Sequence, residues 1–388
     1  MSRRILAIVA GAACGLTTST LVACASDENA VLAIPDGGEN RLPGADGGGD
    51  ASPEDADAAV AAPCPPDVLC PNGPFDPDMP GGPLDVRTRI NVIRGRSASD
   101  VWAAGAKGTM VHFDGTSWTR SEMDTLETMR AVWLRTDGEI ALSSLASIYT
   151  RGLTAQGGNG DASAPSTGGW TATTLARASG FVTSSWAPPG AEWLWLSTYQ
   201  NGLWRLRIDP VSNSLEIRDA LPPNACFTFP CRYVASIHGI SADDLWVVGH
   251  TGTTFHITNA QSATPGIAQL DSQTWAALNG VWVASANDVW AVGGAGVIRH
   301  YTGQPSWDVV SDVPTSNDLY AVWGSSATDV WAVGEGAIVL HYDGKTWSTV
   351  EVAGLGDRRP DLHTVWTSAP GHVWVGGDGV ILSLGGKP

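Results

Sequence analysis

Leu319-Tyr-Ala-Val-Trp-Gly-Ser-Ser-Ala-Thr-Asp-Val-Trp-Ala-Val-Gly334, continued by Ala337-Ile-Val-Leu-His-Tyr-Asp-Gly-Lys-Thr-Trp347, is the fullest copy of a motif that recurs along the chain. A second copy reads Leu278-Asn-Gly-Val-Trp282, Asp288-Val-Trp-Ala-Val-Gly293, Val297-Ile-Arg-His-Tyr301 and Trp307, and a third runs from Leu362-His-Thr-Val-Trp366 to Val373-Trp-Val-Gly376. Asp100-Val-Trp-Ala-Ala-Gly105 with Val111-His-Phe-Asp-Gly115, and Asp244-Leu-Trp-Val-Val-Gly249, mark two more. Degenerate copies fill the gap between them: Met129-Arg-Ala-Val-Trp133 with Ile140-Ala-Leu142, and Trp186 with Trp195-Leu196. The position of the second tryptophan falls at 102, 140 (an isoleucine), 195, 246, 290, 331 and 374, so the count is seven.

Each copy holds four short runs rich in Val, Ile, Trp and Tyr, separated by Gly, Asp, Ser and Asn, which is the grammar of strands and turns. Four strands in roughly 43 residues, with no helical apolar period, define a β-propeller blade. The expected fold is therefore all-β, a seven-bladed propeller of four-stranded blades over residues 84–388. A blade buries its two faces only by stacking on its neighbours. The paired tryptophans are expected to fill that space as core; each ring buries 150–250 Å², an upper bound of ~4–6 kcal/mol. The last copy stops after three strands at Val380-Ile-Leu-Ser-Leu384, so its outer strand must come from elsewhere. Residues near Leu84–Arg87 are expected to supply it and latch the ring, because an open sheet edge invites aggregation.

The Asp-Val-Trp-Ala-Val-Gly core and the following His-Tyr-Asp-Gly-Lys-Thr-Trp resemble propeller repeats of exported bacterial proteins. They are also similar to the Asp-box repeats of sialidases and of photosystem-assembly-type propellers, although Asp343-Gly-Lys-Thr-Trp347 is one residue shorter than Asp-x-Gly-x-Thr-Trp. The resemblance implies a fold and no particular activity.

Upstream of the repeats the chain changes character. Met1–Ala23 reads as an export signal, with Arg3 and Arg4 before an apolar run from Ile5 to Ala13. It ends in Leu21-Val22-Ala23-Cys24, which resembles the bacterial lipobox; that resemblance implies a diacylated Cys24 and an outer-membrane or cell-surface protein held by lipid alone. Cleavage after Ala25 is the alternative and would release a secreted or periplasmic protein. Residues 24–83 are dominated by Asp, Gly, Ala and Pro and read as an acidic disordered tether. Residues 25–86 carry 13 Asp/Glu against Arg41 alone. Of the total charge of −17, that segment holds −12, and with Arg3 and Arg4 set aside residues 87–388 carry −7. Such a body cannot supply the counterion-release term of nucleic-acid binding, so no nucleic-acid partner is expected.

Cys64, Cys70, Cys226 and Cys231 remain once the signal is removed and Cys24 acylated. Two local disulfides, 64–70 and 226–231, fit an exported protein; cross-links between the two pairs are the alternative.

His112, His256, His300 and His341 occupy one place in four repeats and so cannot converge on an ion. They are expected to hydrogen-bond within their blades, to Asp100, Asp244, Asp288 and Asp329. His238, His250, His363 and His372 are not repeated and are freer to serve function. Aligning the repeats on Tyr320 gives Asn91, Arg130, Thr183, Ala235, Asn279, Tyr320 and His363, a varied and mostly polar ring beside a column of small residues. Small residues belong where seven inner strands converge, so this ring is the candidate ligand-facing rim.

Arg89, Arg94 and Arg130 lie near the hub, yet a sialidase would also need an Arg-Ile-Pro segment and a Tyr–Glu pair. Gly-x-Ser-x-Gly, zinc-protease and phosphate-loop motifs are absent. No catalytic residue, metal or cofactor is expected. The expected function is a surface-anchored, non-catalytic binding or scaffold module whose partner is a glycan, a peptide or an envelope protein. The alternatives are a polysaccharide hydrolase or lyase working at the axis, and a purely structural envelope lipoprotein.

Overall fold

The computed structural model describes residues 64–75, 83–153, 163–175, 180–221, 233–262 and 264–386. All lie within one compact unit, Ala61–Pro388. Cys24, Cys226 and Cys231, and with them the expectations of an export signal, an acylated anchor and a second disulfide, fall outside the described residues.

The described chain forms seven four-stranded antiparallel sheets arranged as the blades of a propeller. Their inner strands are Ile90–Ser97, Ala131–Leu134, Val182–Trp186, Val234–Ser241, Leu278–Ser285, Leu319–Ser326 and Leu362–Ala369. These belong to blades 1 to 7, each in contact with the next and blade 7 in contact with blade 1. The upper face is the one at which the inner strands begin.

The second tryptophan of each repeat sits between blades, as its apolar bulk requires. Trp246 meets Trp307 of the next blade edge-on at 5.4 Å, Trp290 meets Trp347 at 5.3 Å, and Trp374 meets Trp118 of blade 1 at 5.2 Å. The repeated histidines stack on these same rings, at 4.4 Å for Trp102–His112 and 3.8 Å for Trp290–His300. Their Nε2 atoms lie 2.8–2.9 Å from Asp100, Asp244, Asp288 and Asp329. The within-blade pairing expected from the repeat is present in all four blades.

Closure differs from the expectation. The fourth strand of blade 7 is Leu69–Pro71, antiparallel to Val380–Leu384 in the register Leu69↔Leu384 and Pro71↔Leu382. Leu69 is fully buried among blade 6 and blade 7 side chains, and its amide donates to Glu351 O while its carbonyl accepts from Ala353 N. A disulfide joins Cys64 to Cys70 across the approach to this strand. Leu84–Arg87 is instead a turn: Arg87 N donates to the Asp85 carboxylate and Thr88 N to Asp85 O. Leu84 and Phe75 pack into blade 1. The N-terminal flank thus pins blade 7 with one end and blade 1 with the other, and the folded body begins within the stretch expected to be tether.

Candidate functional site

All seven residues of the aligned rim line one mouth on the axis at the upper face, around a cavity of about 100 Å³. The local cause is a repeated irregularity. In blades 1 and 3–7 the strand register slips at Asn91, Thr183, Ala235, Asn279, Tyr320 and His363, so each is the unpaired residue of a bulge. Arg130 directly precedes its strand. A bulge releases a residue from the ladder and re-aims its side chain, which is why this column varies while its neighbours do not.

The rim residues do different work. Asn91 Nδ2 donates to Met129 O, Thr183 Oγ1 to Val234 O and Asn279 Nδ2 to Leu319 O, so these three tie each blade to the next. Arg130 is exposed, lies over the Phe181 ring at 5.9 Å, and forms no ion pair among the described residues. Tyr320 stacks on His363 at 5.5 Å, and His363 Nε2 lies 3.2 Å from Asp378, which also accepts from Arg89 at 2.8 Å. Burial, aided by the Arg89 charge, holds the His363 imidazole below its ordinary pKa. Burial, with Asp361, Asp318 and Glu335 nearby, raises Tyr320 above its own. The mouth therefore has an unpaired cation on the blade 2–3 side and an acidic border on the blade 6–7 side.

Aromatic residues outside the aligned column extend this face. Phe181 is 67 % exposed, and Tyr199, Tyr233 and His250 cluster with ring centroids 5.5–6.1 Å apart. Phe181 and Tyr233 stand two residues before the rim column, and Tyr199 and His250 just past the second strand of their blades, columns that the alignment on Tyr320 does not include.

Three residues below the rim, the inner strands carry the first tryptophan of each repeat: Trp133, Trp186, Trp282, Trp323 and Trp366, with Arg94 and His238 in its place in blades 1 and 4. These were expected to be core alone. They are seated in neighbouring blades, since a Cβ on Gly95 would meet Trp366 at 2.4 Å and one on Gly324 would meet Trp282 at 2.6 Å. Yet they also wall a second cavity, of about 580 Å³, at the lower end of the axis. Trp323 of blade 6 touches both Arg94 of blade 1, 4.6 Å from its guanidinium carbon, and His238 of blade 4, 4.9 Å between rings. Contact with two non-adjacent blades places Trp323 across the axis, where it separates the polar mouth from the aromatic chamber.

Among the described residues no group of three or more His, Cys, Asp or Glu could hold a metal ion. The four repeated His–Asp pairs are distributed around the ring, one per blade.

Fold and axial mouth together define a seven-bladed β-propeller with a polar upper opening. No protein-family model and no curated protein matches the sequence. Among solved structures it is similar to YCF48 from Cyanidioschyzon merolae, at 13 % identity and a TM-score of 0.59 over 78 % of this chain and 97 % of that one. A YCF48 structure with a bound D1 peptide matches at 12 % identity and 0.58, over 82 % and 97 %. A catalytically inactive virginiamycin B lyase from Staphylococcus aureus, solved with quinupristin, matches at 14 % identity and 0.59, over 77 % and 95 %. At these identities the likeness is one of fold.

Proposed function

We propose that this protein is a non-catalytic binding module held at the bacterial outer surface by a lipid on Cys24, and that its upper mouth grips a polypeptide segment of an envelope partner. The observation that carries this reading is the bulge ring. Six varied side chains are delivered to one opening by a bulge repeated around the hub, with Arg130 joining them from just before its strand, and a mouth of about 100 Å³ is below the 300–1,000 Å³ typical of small-molecule pockets. An extended segment laid across the mouth would meet Arg130 and Phe181 on one side and Tyr320 and His363 on the other. A peptide bound to a propeller of similar fold supports a peptide over a glycan, and the exposed aromatics at Phe181, Tyr199 and Tyr233 supply the apolar contact a segment needs.

The test is cross-linking on intact cells followed by capture of the partner, then binding by the combined Arg130→Ala, Tyr320→Ala and His363→Ala variant. A loss of at least tenfold in affinity with unchanged melting temperature supports the mouth as the site; undiminished binding moves it to another face. The rival reading, a polysaccharide hydrolase or lyase, has one structural point in its favour, a lyase among the proteins of similar fold. Turnover in a screen of chromogenic glycosides and polysaccharide lyase substrates would replace the binding-module reading.

A further inference from the structure

The lower chamber is a built cavity that the upper-mouth reading does not use. Its walls are the tryptophan column, and its opening is lined by Pro188, Pro189 and Ile240, the last 47 % exposed. At about 580 Å³ it falls within the range of small-molecule pockets. Every charged residue lining it is an arginine: Arg94, Arg96 and Arg135, with no carboxylate. That is unusual for a chain of net charge −17. Two of the three are already neutralised. Arg96 pairs with Asp100 and Glu139, and Arg135 pairs with Asp137.

Arg94 is different. It occupies a position that is tryptophan in five of the seven blades, donates to its own Ile93 carbonyl, lies over the Trp323 ring, and has no carboxylate partner among the described residues. Desolvation pushes its pKa down to about 10. An enclosed cation without a counter-ion is costly, because burial removes hydration that nothing replaces. His238, the other exception in the column, lies beside it. The His238 Nδ1 accepts from Val283 N at 3.2 Å, which fixes the proton on Nε2 and leaves that N–H as a second donor. Burial and the Arg94 charge depress the imidazole to about 3, so it stays neutral and adds no repulsion toward an anion at neutral pH.

We propose that the lower chamber binds an organic anion with a flat apolar body and a carboxylate, the body lying among the tryptophans and the carboxylate meeting Arg94 and the His238 Nε2–H at the waist. Cation and donor are pre-placed, and the aromatic wall excludes the water that would otherwise weaken the pair. Such a group can come from a free aromatic acid or from a polypeptide ending in an aromatic residue. Arg94, His238 and Trp323 also border the upper cavity from below, but the rim side chains invoked there are not used here, so either reading can fail without the other.

The test uses the full exported chain and tryptophan fluorescence, since the chamber is walled by indoles. The probes are 2-naphthoate, its neutral amide 2-naphthamide, and the tripeptide Gly-Gly-Phe with a free or an amidated C-terminus. Naphthoate is expected to bind at least tenfold more tightly than naphthamide to the unaltered protein, a comparison that needs no variant to fold. Arg94→Gln is expected to remove that preference, and the Arg130→Ala, Tyr320→Ala, His363→Ala variant is expected to leave it intact. Tighter binding of the free-acid peptide than of naphthoate assigns the site to a chain terminus, and the reverse order to a free acid. Equal binding of acid and amide, no binding of either, or a preference that survives Arg94→Gln overturns the proposal.

Discussion

At the level of single residues, the column Arg94, Trp133, Trp186, His238, Trp282, Trp323 and Trp366 shows how a repeat acquires function by exception. Tryptophans here pack into the next blade; His238 reaches that blade by accepting from Val283 N, whereas Arg94 lies over Trp323 at the axis. His238 carries a measurable cost of that choice. Its folded-state pKa is about 3, against an ordinary value of 6.5. Below pH 6.5 the unfolded chain therefore takes up a proton that the folded one refuses, so stability is complete above that pH and is lost as pH falls toward 3. The loss is at most about 1.4 kcal/mol per pH unit. His363 acts with the same sign, whereas the depressed carboxylates of Asp329 and Asp378 lose their contribution only below the ordinary Asp value of 3.8. Denaturant unfolding between pH 6.5 and 5 isolates the imidazoles. His238→Gln, which keeps an acceptor for Val283 N, is expected to flatten the slope by up to about 2 kcal/mol over that interval; an unaltered slope assigns the acid sensitivity elsewhere. Five members of this column are legible as the first tryptophan of their repeats; Arg94 and His238 are not, because blades 1 and 4 are recognised only from Asp100-Val-Trp102 and Asp244-Leu-Trp246 onward. What the seven copies did not display was the cavity, because a repeat reports spacing along the chain, whereas the chamber exists only where seven strands meet.

Among the elements, the strand Leu69–Pro71 was hidden by its surroundings. Cys64-Pro-Pro before it and Asn72-Gly-Pro after it read as linker, and three residues give no alternation to detect. Its position also explains the composition: an outer strand uses one edge for the ladder, so Pro71 is tolerated at its end, and a disulfide substitutes for strand length. The rim bulges were likewise half-legible. The variable column marked them, but a slip in register leaves no trace in sequence beyond that variability. Leu69, with no exposed surface, is the strand's anchor between blades 6 and 7. Leu69→Ala is expected to cost about 2–4 kcal/mol in denaturant unfolding, the usual range for a truncated core leucine. A cost below about 0.5 kcal/mol, the usual span of surface substitutions, would mean that the latch does not hold the ring.

For the whole molecule, a propeller is a closed stack in which every blade completes the burial of two others, so opening one joint exposes two faces at once. The periodicity made this architecture readable from end to end, and the one joint it misplaced is the one not formed by consecutive repeats. The axial channel passes through the hub with chemistry that changes from polar to aromatic across Trp323, and both ends depend on the ring staying shut. The described packing starts at Cys64, and the sequence before it reads as an acidic tether. A chain of residues 61–388 is therefore expected to melt within about 1 °C of residues 25–388, whereas residues 74–388, lacking the disulfide loop and the fourth strand of blade 7, should melt roughly 5–10 °C lower. That drop corresponds to a few kcal/mol at about 2–4 °C per kcal/mol for a chain of this order of size. The shorter chain should also aggregate through the edge Val380–Leu384, which then has no partner. Differential scanning calorimetry with light scattering measures both effects. Equal melting of all three chains would show that blade 7 closes without its N-terminal strand.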